Sequence, residues 1–70
     1  MQAIQAYLAR HACAADTLQG IAQWWLSEMG VEVPLPDVRR ALDALVIEGR
    51  VERHVLPGGT VIYRAPAHRD

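Results

Sequence analysis

The sequence predicts an α+β fold in which three helices precede a two-stranded β-hairpin. Two changes along the chain carry that expectation. Apolar residues recur at three- and four-residue spacing up to about residue 48 and then alternate from residue 50 onward. Pro57-Gly58-Gly59 interrupts the alternation where a hairpin turn belongs. Seventy residues make one domain, expected over 1–66 with a frayed tail at 67–70. A chain this short buries only roughly 60% of its unfolded surface, so it closes around one core and has little left for a deep cleft. With 51% of its residues apolar, it has enough material for that core.

Residues 2–12, QAIQAYLARHA, predict the first helix, with Ile4, Tyr7, Leu8 and Ala12 on one stripe. Asp16 is the expected N-cap of the second, and Gln19 three residues later completes a capping box. Leu18, Ile21, Ala22, Trp25 and Met29 form its apolar face, and Gly30 is the expected stop. Trp24 falls roughly 100° round from Trp25 and so leaves two readings open. It packs beneath the VEVPL connection at 31–35, or it is exposed. Pro36 is suited to the first helical position of the third helix, which runs to about Glu48 with Gly49 as its stop. Val38, Ala41, Leu42 and Leu45 make its buried stripe. After Gly49, RVERHVL and TVIYRA alternate as the two strands. A hairpin is marginal alone in water, and the third helix is its obvious support.

This order resembles a winged helix-turn-helix domain, of the kind found in small bacterial regulators. IAQWWL in the second helix, VRRALDALVIEGRVER across the third helix and first strand, and PGG with VIYRA carry the resemblance over residues 2 to about 66. It implies a winged helix: a three-helix bundle followed by a two-stranded hairpin wing. Members of that superfamily include both DNA-binding regulators and protein-interaction modules. In the DNA binders the third helix enters the major groove and the wing touches DNA beside it. Carried over, that role falls to helix 36–48 and the wing at 57–59. Arg39, Arg40, Arg53, His54 and Arg64 would be the principal contacts. Two departures are the long connection from Gly30 to Leu35 and the lack of a Ser or Thr cap on the third helix.

Composition weighs against strong DNA binding. The net charge is −1, whereas a dedicated nucleic-acid domain carries a basic excess. On the third helix Arg40 has Asp37 and Asp43 three residues to either side, and Arg39 and Asp43 have helix-pair spacing. The turn at 57–59 offers phosphates no cation. All seven basic side chains are Arg, a usage that GC-rich coding explains more simply than forked guanidinium contacts. Trp24, Ile47, Leu56 and Ile62 fall off the core stripes. Hot spots favour Trp and Arg, so the expected protein-binding surface is Trp24, Arg39, Arg40 and Ile47. The expected function is therefore a non-catalytic winged-helix module with a protein-interaction or adaptor role, through a protein partner or self-association. The alternative is a small DNA-binding transcriptional regulator, working as a homodimer.

Nothing points to catalysis or a cofactor. His11, His54, His68 and Cys13 lack metal-ligand spacing. Ser27 is the only Ser, and no nucleophile–base pair can be assembled around it. No small-molecule substrate is expected. Cys13 among alanines reads as a small buried thiol. No signal-peptide pattern opens the chain and no run reaches the ~18 apolar residues of a membrane span. A reducing cytoplasm is the expected location, with no membrane association.

Overall fold

A computed structural model describes residues 2–66; the tail expected to fray lies outside them. The fold is mixed α+β, with three helices and a three-stranded antiparallel sheet.

Helix α1 (Gln2–Arg10) buries Ile4 and Leu8. It ends before Ala12, which is exposed and not part of the stripe the spacing predicts. The reason lies just downstream. The chain turns there, with Ala14 N–H donating to the His11 carbonyl at 2.9 Å, so that strand β1 (Ala15–Asp16) can pair with the hairpin. Cys13 sits in this turn and is exposed rather than buried, because helix α1 has ended at Arg10 and the alanines round it form no helical face.

The second helix, α2, is continuous but not uniform. An α-turn (Leu18–Gly20) leads into a π-turn (Ile21–Trp25) and a final α-turn (Leu26–Glu28). Its N-cap is Thr17 and not Asp16: Gly20 N–H donates to Thr17 Oγ1 at 3.1 Å. Asp16 is held in β1, where its Oδ1 accepts from Thr17 N–H at 2.8 Å. In the π-turn, Leu26 N–H bonds back to the Ile21 carbonyl. At regular helical steps Leu26 would lie roughly 80° off the centre of the stripe. The wider turn brings it in, so that Trp25 and Leu26 are both buried while Trp24 faces out. Gly30 then ends α2, with Val31 N–H reaching the Leu26 carbonyl and Gly30 N–H the Ser27 carbonyl.

Helix α3 (Leu35–Ile47) starts one residue before the position expected from Pro36, with Pro34 at the N-cap. It buries Val38, Leu42 and Leu45, and leaves Ala41 half-buried. Gly49, at φ 75°, takes the left-handed conformation that stops the helix. Strands β2 (Glu52–Val55) and β3 (Val61–Arg64) form the hairpin. Its turn is closed by Gly59 N–H to the Leu56 carbonyl at 2.9 Å, with Pro57 second and Gly58 third at φ 96°.

The sheet has three strands, in the order β1-β3-β2, instead of the two expected. Two residues between helices carry no period, so β1 leaves no pattern in the sequence; only pairing with β3 defines it. In register, Arg53 faces Tyr63 and Asp16 also faces Tyr63, so these three share one side of the sheet. Tyr63 and Val51 turn that side toward the helices and close a core of Ile4, Leu8, Ile21, Trp25, Leu26, Val38, Leu42 and Leu45. No polar or charged side chain is buried among the described residues. No helix of the described chain is long and apolar enough to cross a membrane.

Candidate functional site

The end of α3 and the inner side of the hairpin do not meet completely. Between them runs an open groove of about 550 Å³. Half-buried Leu18, Val46 and Val61, with buried Tyr63, supply its apolar floor. Arg39 and Asp43 from α3 and Arg53 from β2 stand at its rim, and Ile47 lies beside them with 87% of its surface exposed.

The residues singled out from sequence divide into four places. Arg39, Ile47 and Arg53 converge on the groove. Arg40 points into solvent, with Nη1 3.7 Å from Asp37 Oδ1, and does not line it. His54 and Arg64 lie on the opposite side of the sheet, because strand neighbours alternate between faces. There Glu52 Oε1 serves both, at 2.9 Å from His54 Nε2 and 3.5 Å from Arg64 Nε. Arg53 therefore cannot act on one ligand surface with His54 and Arg64, although all three belong to one hairpin. Trp24 is 63% exposed, which removes the reading that it packs beneath residues 31–35, and it does not line the groove.

The electrostatics follow the same division. Arg40, Arg50 and Arg64 each have a carboxylate within 4 Å. Among the described residues, Arg39 and Arg53 have no ion pair. The helix pair that the spacing of Arg39 and Asp43 allows is not formed; both side chains stand on the rim instead. Two guanidinium groups with no ion pair among the described residues stand over an apolar floor, an arrangement that charge counting along the sequence conceals. Leu18, Val46, Val61 and Tyr63 were legible as apolar but carried no sign that they would share a groove.

A second cluster joins α1 to α2. Tyr7 stacks on Trp25, His11 lies against Tyr7 with ring centroids 4.5 Å apart, and His11 Nε2 is 3.7 Å from Glu28 Oε2. Burial pushes the Tyr7 phenol above its usual range, and the neighbouring Glu28 carboxylate pushes it further. These contacts hold helices together. Among the described residues, no three His, Cys, Asp or Glu side chains gather in a way that could hold a metal ion.

No protein-family model, characterised protein or solved structure matches this chain. Its reading rests on its own residues.

Proposed function

We propose that this chain is a winged-helix domain that binds a macromolecular partner without catalysing a reaction, and that the partner is a protein. The order of three helices and then a hairpin supports the winged-helix reading, with α3 as the presenting helix and residues 57–59 as the wing tip. The observation that carries the choice of partner is Ile47. It is a large β-branched side chain, 87% exposed at the end of the helix that a DNA reader would lay in the groove. Base edges call for donors such as Arg, Lys, Asn or Gln at such a position. Trp24, Val55 and Leu56, exposed by 63%, 59% and 42%, add apolar surface that duplex DNA has no use for. A reducing cytoplasm suits a domain whose single, exposed thiol has no partner cysteine in the chain.

The DNA reading keeps one specific support: Arg39 and Arg53 have no ion pair among the described residues and share a rim. An amide NMR titration with a short mixed-sequence duplex, at low and then physiological salt, tests it. An absence of shifts at low salt is the expected result. Shifts at 37–47 and 53–64 that fade as salt rises would reverse the choice in favour of a small regulator. Sedimentation over a range of concentrations asks whether the protein partner is a second copy.

A further inference from the structure

We propose that the groove between α3 and the hairpin takes a short acidic segment of a partner protein, an apolar side chain seated on Leu18, Val46 and Val61 and flanking carboxylates held by Arg39 and Arg53. This rests on the protein-binding reading and specifies the partner's chemistry.

Three features of the groove define the occupant. Its floor is apolar and half-buried, so it rewards an apolar side chain that completes the burial. Its rim holds two guanidinium groups that have no ion pair among the described residues, one on a helix and one on a strand. A guanidinium fork matches a carboxylate in two parallel bonds, so each has a full binding capacity to offer. Ile47 beside them, 87% exposed, gives a second apolar contact and shields those bonds from water once the segment is in place.

Charge also decides against the nearest competitor. A phosphate backbone brings a row of anions and no apolar group for the floor. Asp43 stands on the same rim one helical turn from Arg39 and opposes such a row. A peptide can set its carboxylates at the two arginines and turn a backbone N–H or a hydroxyl toward Asp43. Charge complementarity with room for one acceptor in between is what a segment of mixed chemistry offers and a polyanion does not.

The test is selection of the intact 70-residue chain against a displayed library of random nine-residue peptides, followed by titration of the enriched peptides into labelled protein. Enriched sequences are expected to combine Asp or Glu with a large apolar residue and to shift the amides of residues 39–47, 53 and 61–63. Arg39→Glu and Arg53→Glu should each weaken such a peptide by at least about tenfold, as loss of a charge-assisted bond implies. Both side chains are exposed, and the amide spectrum of each variant verifies its fold. Enriched peptides that are basic, or that are indifferent to both charge reversals, overturn the groove assignment. Peptides whose shifts cluster round Trp24 overturn it too, while leaving the protein-binding reading intact. Failure to enrich any peptide, together with salt-sensitive duplex shifts on the same rim, overturns both.

Discussion

The rings of Tyr7 and Trp25 lie 4.7 Å apart and within 10° of parallel, which couples the first helix to the π-turn of the second. Trp25 is only 3% exposed, so this contact is also the seam of the core. Trp25→Ala is expected to cost roughly 3–5 kcal/mol, as for other buried aromatic truncations. Small domains have about 5 kcal/mol or little more in reserve, so the cooperative urea transition should almost vanish. Tyr7→Leu keeps an apolar side chain there and loses the stacking, and should lower the urea midpoint less than Trp25→Ala does. A Trp25→Ala protein that unfolds like the parent would contradict the packing described.

The same tyrosine sets a pH dependence. Its folded-state pKa lies above the usual 10.0, through burial first and the Glu28 carboxylate second. A raised pKa means the folded state favours the neutral phenol. The resulting stability is complete below about pH 10 and is lost as pH climbs past that value through the folded pKa. Urea midpoints measured from about pH 9 to about pH 11 should fall more steeply for the parent than for Tyr7→Phe. Parallel curves for the two proteins would remove the effect from Tyr7.

At the start of α2 two side chains compete for one space. A Cβ on Gly20 would run into the Asp16 carboxylate, which is engaged with Thr17 N–H. Gly20→Ala therefore should not yield the roughly 1 kcal/mol that replacing a helical Gly ordinarily yields. In an Asp16→Ala background that gain should reappear, and the cycle of four proteins should give a coupling of at least about 0.5 kcal/mol. Additivity would mean the carboxylate moves aside without cost. Thr17→Ala, which removes the cap on Gly20 N–H, should cost about 1 kcal/mol in the same measurement.

Adjacent tryptophans should differ sharply. Trp24, 63% exposed, and Ile47, 87% exposed, contribute little to folding. Trp24→Ala and Ile47→Asp should each leave unfolding free energy within about 1 kcal/mol of the parent. If either is a partner contact, binding should fall while the urea transition stays in place. A Trp24→Ala loss as large as that of Trp25→Ala would mean that the π-turn does not orient the pair as described.

Helical and strand periods in the sequence were sufficient for the three helices, for the hairpin with its Pro57-Gly58 turn, and for the stop at Gly49. Each depends on residues within a few positions of one another, through 3.6- and two-residue side-chain periods or the φ a turn demands. The same locality explains why Ile47 was legible as lying off the core stripe. What the tertiary structure decided lies beyond that range. Strand β1 exists because Asp16 meets Tyr63 across the sheet, and the transfer of the cap from Asp16 to Thr17 follows from it. Leu26 enters the core because a π-turn shifts the helical phase, a shift invisible to a pattern read at fixed steps. The groove formed because residues 18, 39, 47, 53 and 61, scattered over four elements, converge there, while strand register sent His54 and Arg64 to the other face. Local chemistry determined which elements this chain makes; long-range pairing decided which of their side chains share a surface.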